Sequence, residues 1–215
     1  MSKALEGRLS DLHQAIRACH RCFPQNDNCP VPGGGGIQDK GLFFIGQAPG
    51  IREPQAQKMF AWTAGKRLFQ WLARVDIHED QIRKYAYMTA VTKCFPGKAS
   101  HGKGDRKPSI QEIENCSEYL KNALLMLKPK VIVTIGSLAL NQMMPNAKFS
   151  DVIGLELHQE IISGKTWIIP LPHPSGASPW VYLHENQKKL TKALELLKYR
   201  LQQEHLYSFF VKSNP

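Results

Sequence analysis

Short apolar runs alternate with amphipathic stretches along the chain. Gly41-Leu42-Phe43-Phe44-Ile45 reads as a buried strand. Tyr85 to Val91, Lys130 to Ile135 and Thr166 to Leu171 read as three more. Helical spacing fills the intervals. Leu5, Leu9, Leu12 and Ile16 share one face of an N-terminal helix within Met1 to Cys19. Leu68, Phe69, Leu72 and Val75 share a face after Gly65. Ile110, Ile113, Leu120, Leu124 and Leu127 share another. Leu183, Leu190, Leu194, Leu197 and Leu201 mark a long C-terminal helix. The Ile110 helix has a start signal: Pro108, then Ser109 with Glu112 three residues on, a capping box. It stops at Lys128-Pro129. Strand–helix alternation with apolar strands predicts an α/β fold with a mainly parallel sheet. No repeat or linker divides the chain, so residues 1–215 are expected to form a single domain. Ligands of such sheets bind beyond the carboxyl ends of the strands. Chemistry is therefore expected in the loops after Ile45, Val91 and Leu171. Gly33 to Gly36 lacks a following Lys-Ser/Thr and reads as a flexible connector, not a phosphate loop.

Charge narrows the field. Lys and Arg number 28 against 18 Asp and Glu, a formal charge of +10. Such an excess suggests a polyanionic partner, most commonly nucleic acid. Lys93, Lys98, Lys103, Arg106 and Lys107 gather around the polar loop Ala99 to Lys107 and read as phosphate contacts with salt-dependent affinity, or else as a plain solvated loop. No signal-peptide core appears, and no run of about 18 apolar residues, so a cytoplasmic protein without membrane attachment is expected (nuclear, if its source has a nucleus). In that compartment five cysteines argue for metal or catalysis over disulfides. Cys19-His20-Arg21-Cys22 puts two thiols within reach of one ion, while Cys94 and Cys116 follow singly. A zinc ribbon would supply a second tight pair. Dispersed thiolates favour an iron–sulfur cluster. On spacing alone Cys29 rivals Cys116 as the fourth ligand, and His20 is another candidate. The plain alternative makes Cys94 and Cys116 small buried hydrophobes.

Two motifs sit at strand ends. Gly46-Gln47-Ala48-Pro49-Gly50 forms a tight loop that aims backbone N–H groups into the crevice. Pro172-His173-Pro174-Ser175-Gly176 holds a His in a rigid loop. With Phe60, Ala64-Gly65 and Met88-Thr89-Ala90-Val91-Thr92-Lys93-Cys94, these segments resemble the motif series of the uracil-DNA glycosylase superfamily, nearest to its family 4, the iron–sulfur branch. The resemblance runs from about Ala18 to the end. It implies a three-layer α/β/α fold around a four-stranded, mainly parallel sheet. It implies a [4Fe–4S] cluster on Cys19, Cys22, Cys94 and Cys116, leaving Cys29 free. It also implies a monomeric enzyme that flips uracil, or a related deaminated base, out of single- or double-stranded DNA and hydrolyses its glycosidic bond.

In that resemblance His173 donates to uracil O2, and Gln47, Ala48, Pro49 and Gly50 line the pocket. Phe60 stacks on the base, Ser175 opens a loop to Trp180 that presses into the minor groove, and Thr89 and Ala90 stand where the base is read. The sequence departs from the pattern at three places. Gln47 replaces a usual Glu. Ala90 replaces the Asn that reads the base edge. Ala48 stands where the best-known branch, though not family 4, carries a water-activating Asp. Glu53 is the remaining carboxylate of the first loop and a candidate general base, and Gln47 or Thr89 is expected to supply the contacts Ala90 cannot. An insert between the third and fourth cysteines is similar to that of a superfamily member that bonds covalently to uracil-containing DNA. It makes Asp105 or His101 a candidate to assist attack on the sugar C1′. The competing readings are a trapping or non-catalytic DNA-binding member of this fold, and a zinc-stapled nucleic-acid-binding module.

Overall fold

Each strand run is apolar on both faces because both faces are covered. In the computed structural model, which describes residues 3–24, 30–35, 41–100, 104–160, 164–175 and 179–211, a central sheet is built from β1 (Leu42–Gly46), β2 (Tyr87–Ala90), β3 (Val131–Ile135), β4 (Leu157–Glu160) and β5 (Lys165–Leu171). Their order is β2-β1-β3-β5-β4. All neighbours are parallel except β4, which lies antiparallel on the edge of β5. The helices are α1 (Lys3–Arg17), α2 (Glu53–Ala56), α3 (Thr63–Ala73), α4 (Glu79–Tyr85), α5 (Ile110–Leu127), α6 (Ser137–Met143), α7 (Phe149–Val152) and α8 (His184–Gln203). Alternate strand residues point to opposite layers. Phe44, Met88, Val133 and Ile169 pack with α3, α4 and α8. Phe43, Ile45, Ile132 and Ile168 pack with α1, α5 and α6. The result is the expected three-layer α/β/α arrangement.

Three expectations need correction. The sheet has five strands, not four. Leu157-His158-Gln159-Glu160 is largely exposed and carries no apolar run, so its sequence gave no strand signal. Ile110 is not on the buried face of α5, being 77% exposed. Gly33 to Gly35 is no loose connector: Gly34 pairs both ways with Met88 on the open edge of β2. At Gly35 a Cβ would stand 2.0 Å from the Ala86 carbonyl oxygen, so the approach is open only to glycine. The capping box is present: Ser109 Oγ accepts from Glu112 N–H, Glu112 accepts from Ser109 N–H, and α5 ends at Lys128 in the left-handed region. No described helix is long and apolar enough to cross a membrane.

α1 meets the sheet through a polar contact. His13 Nε2 lies 2.9 Å from the Tyr87 hydroxyl. Burial lowers the His13 pKa from 6.5 to about 4, with Arg17 and Lys93 adding to it. The unfolded chain therefore takes up this proton first as the pH falls. Stability is complete above the unfolded value of 6.5 and drains away toward 4. The ring is partly exposed, so the loss is expected to be about 2 kcal/mol. His13→Gln has nothing to titrate here and should show a shallower fall in urea midpoint between about pH 7 and 4.5 than the parent chain. Parallel curves would exclude the effect.

Candidate functional site

β1, β2, β3 and β5 run parallel, so their carboxyl ends lie along one edge of the sheet, where the ligand crevice of such sheets forms. At β1 the loop Gln47 to Gly50 turns away from the sheet. The Gly46 and Gln47 carbonyls accept from Val91 and Thr92 N–H, which ties this loop to the end of β2. The N–H groups of Gln47 and Ala48 have no acceptor among the described residues, so both are available to a ligand. Gln47 is half-buried and makes no side-chain hydrogen bond among the described residues, while Pro49 is buried. At β5 the loop continues to His173. Its side chain packs beside Gly136, which directly follows β3, with Cβ and ring atoms 3.5–4.0 Å from where a Gly136 Cβ would stand. Ser175 N–H donates to His173 Nδ1 at 3.3 Å. A neutral ring with Nδ1 accepting carries its proton on Nε2, so His173 has a donor to offer. One side of the ring is open to solvent, yet the surrounding protein desolvates it enough to lower its pKa, an effect Asp105 partly offsets. His173 is thus neutral near pH 7.

Phe60 is held against the same crevice by unusual local structure. Its ring lies 2.9 Å from where a Gly46 Cβ would stand, and only 6% of the residue is exposed. Its φ of 54° is in the left-handed region, which costs a non-glycine residue energy. Three contacts fix the turn. Arg83 donates to the Met59 and Phe60 carbonyls at 3.1 and 2.9 Å. The two Glu53 carboxylate oxygens accept from Gly50 and Ala61 N–H, each at 3.1 Å. Gly65 admits the Phe60 carbonyl so closely that a Cβ would meet it at 1.8 Å. Glu53 is buried, which raises its pKa against those backbone bonds. Its place is therefore a brace between the first loop and the Phe60 turn; a water-activating base would need a lone pair facing substrate.

The base-reading positions are also revised. Ala90 is fully buried in the same apolar cluster as Phe60. Thr89 is fully buried too and cannot replace the missing amide. Its hydroxyl donates to the Pro32 carbonyl at 3.2 Å and accepts from Lys93 Nζ at 2.8 Å. Lys93 is no phosphate contact: it is 2% exposed, its ammonium spans Thr89 and the Ala90 carbonyl, and burial lowers its pKa to about 8. In the insert, Arg106 makes a two-pronged pair with Glu112 at 2.7 and 2.6 Å, and Lys98 pairs with Asp105 at 2.7 Å. Residues 97–99 lie alongside 104–106, with Ala99 N–H bonded to the Gly104 carbonyl and Arg106 N–H to the Gly97 carbonyl. Lys107 stays exposed. Asp105 Oδ2 lies 3.9 Å from the Cβ position of Gly50, and its charge is felt at His173. Asp105 is thus an exposed carboxylate beside the first loop. His101, Lys103, Cys29, Gly36 and residues 176–178 lie outside the described residues.

Four thiols, after α1, after β2 and on α5, lie close enough for three of them to act on Cys94. Arg21, between Cys19 and Cys22, clamps its segment onto α5: it pairs with Glu118 at 2.6 Å, donates to the Asn115 carbonyl at 3.2 Å and stacks over Tyr119. Asn115 Nδ2 donates to Cys22 Sγ at 3.5 Å. Cys22, Cys94 and Cys116 line one pocket with Phe23, Thr92, Pro96 and Glu112. Burial pushes the Cys94 thiol up to about 12, and the negative charge of Cys116, Cys22 and Cys19 pushes the same way. Lys93 N–H bonds Cys116, whose pKa burial also raises. No group of three or more His, Cys, Asp or Glu side chains among the described residues is arranged to hold a metal ion. Thiolates from three separate segments are a donor set whose chemistry suits an iron–sulfur cluster. His20 is exposed.

Sequence reading missed Gly136, Arg83, Arg67 and Arg21. Gly136 follows a strand end and was open to the rule that found the other loops. The three arginines act across long stretches of chain and leave no local signal. Arg67 holds the Ser175 carbonyl at 3.2 Å and so joins α3 to the His173 loop.

Known proteins match this sequence. Residues 32–198 match the family described as the uracil DNA glycosylase superfamily. A type-4 uracil-DNA glycosylase of Archaeoglobus fulgidus is 30% identical over 131 residues, covering 61% of each chain. One from Pyrobaculum aerophilum is 30% identical over 137 residues, 63% of this chain and 64% of that protein. One from Saccharolobus solfataricus is 28% identical over 192 residues, 83% of each. The chain is thus matched over about three fifths of the length of the first two relatives.

Proposed function

The chain belongs to the uracil-DNA glycosylase superfamily, and from that premise we propose that it excises uracil, or a related deaminated base, from DNA and leaves an abasic site. The observation that carries this reading is His173: neutral, with Nδ1 occupied by Ser175 N–H and Nε2–H free to donate. A base buried in a duplex cannot be reached, so the nucleotide must swing out into a pocket. As the glycosidic bond breaks, the base leaves with negative charge and the sugar becomes cationic. Nε2–H and the free N–H groups of Gln47 and Ala48 are donors already in place for that anion. The buried Phe60 ring supplies a face for stacking. Asp105 is the carboxylate positioned to steady the sugar cation or to orient the attacking water. With Ala90 and Thr89 buried, Gln47 is the polar side chain left to read the base edge, which supports acceptance of more than one deaminated base.

Cys19, Cys22, Cys94 and Cys116 would hold a [4Fe–4S] cluster. Held by these residues, it would tie the segment after α1 to the loop after β2 and to α5, a structural role. A thiol-held centre of this kind supports placement in a reducing compartment, the cytoplasm. The test is incubation with a uracil-containing oligonucleotide, then alkali. Strand scission at uracil alone is the expected result. A heat-stable protein–DNA adduct would replace hydrolysis by covalent trapping, and intact DNA with binding retained would replace it by a pure binder.

A further inference from the structure

Trp62 is the wrong kind of residue for a loop that only needs to enter α3. It is 47% exposed, directly after the Phe60 turn. The Arg52 guanidinium lies 4.0 Å from its ring centroid, and Lys66 Nζ lies at 5.8 Å. Beside it Ile51 is 53% exposed. Two anchors place this group at the rim of the crevice. Arg52 belongs to the loop that continues from Gly50, and Arg67 on α3 binds the Ser175 carbonyl beside His173. Among the described residues Arg52, Lys58 and Lys66 form no ion pair; Glu53 is buried and turned inward to Gly50 and Ala61, and Asp105, which approaches Gly50, is paired with Lys98. The insert differs, because its Lys98 and Arg106 are already paired with acids.

An exposed indole flanked by free cations matches what a single nucleotide offers: a π-face for stacking and a phosphate for charge. We propose that Trp62, Arg52 and Lys66 form a subsite for the unpaired nucleotide next to the excised one. Trp62 stacks on its base, Arg52 and Lys66 bind its phosphate, and the subsite favours single-stranded over duplex DNA, where that base is already stacked on its neighbour. This rests on the glycosylase reading for the position of the neighbouring nucleotide, but its test does not need excision.

The test is fluorescence anisotropy with a labelled, uracil-free single strand and with the same sequence as duplex, each at several salt concentrations. Stacking is worth about 1–3 kcal/mol per base. Trp62→Ala should therefore weaken single-strand binding by about 5- to 150-fold and duplex binding much less, while Trp62→Phe keeps most of the affinity. Arg52→Gln with Lys66→Gln should flatten the dependence of log affinity on log salt by about 0.7 on single strands, one neutralised phosphate's worth. Undiminished single-strand binding by Trp62→Ala, equal losses on both DNAs, or an unchanged salt slope in the double variant would each overturn the subsite. Should the parent chain fail to cut uracil-containing DNA while these losses appear, the excision reading fails and the subsite stands.

Discussion

His173→Ala is expected to lower turnover on uracil-containing DNA by about a hundred- to a thousandfold, equivalent to roughly 2.7–4 kcal/mol of transition-state stabilisation. Affinity for the same DNA should change little. The donor matters only when charge develops on the leaving base, so its loss belongs in the rate at saturation and not in binding. The second hydrogen bond of the ring adds a pH signature. Protonation would turn Nδ1 from acceptor into donor and break its bond from Ser175 N–H. Burial keeps the ring's pKa below 6.5, so the rate should hold through neutrality and fall only in acid. Single-turnover rates across pH on the parent chain and on His173→Gln check this. A variant that loses binding but turns over normally at saturation would remove His173 from the chemistry.

Cys116→Ser should have the largest effect on stability. Cys116 is buried on α5 and faces three other thiols drawn from separate parts of the chain. A centre bound only by the folded state adds its binding free energy to folding. Its loss is expected to cost on the order of 3–5 kcal/mol, or a melting midpoint lower by roughly 6–20 °C at this chain length. Iron and acid-labile sulfide should disappear in step. Stoichiometric zinc and no sulfide in the parent protein would overturn the cluster, and an unshifted melt in the variant would deny Cys116 its place.

The sheet and its helices were largely legible because both layers bury apolar residues at regular spacing, and Ser109 with Glu112 marked one helix start outright. β4 was not, since an exposed edge strand needs no apolar run. Within the site, strand-end loops announced Gln47 to Gly50 and His173. Burial was the part that spacing could not show. Lys93 stands among basic residues in the sequence, yet it points inward to Thr89 and the Ala90 carbonyl. Glu53 has the chemistry of a base, but its oxygens serve two backbone amides. Asp105 was singled out only by an insert's position; the pairing of residues 97–99 with 104–106 is what brings it to Gly50.

The strand order also bears on how the molecule is made. β5 is inserted between β3 and β4, although it is the last strand in the chain. The sheet therefore stays split during synthesis until residue 171 has left the ribosome, with the apolar edge of β3 uncovered. His173 follows two residues later. The step that closes the sheet is thus the step that delivers His173 to the site. An incomplete product ending before β5 would expose that edge to other chains, which makes it a substrate for chaperones or proteolysis.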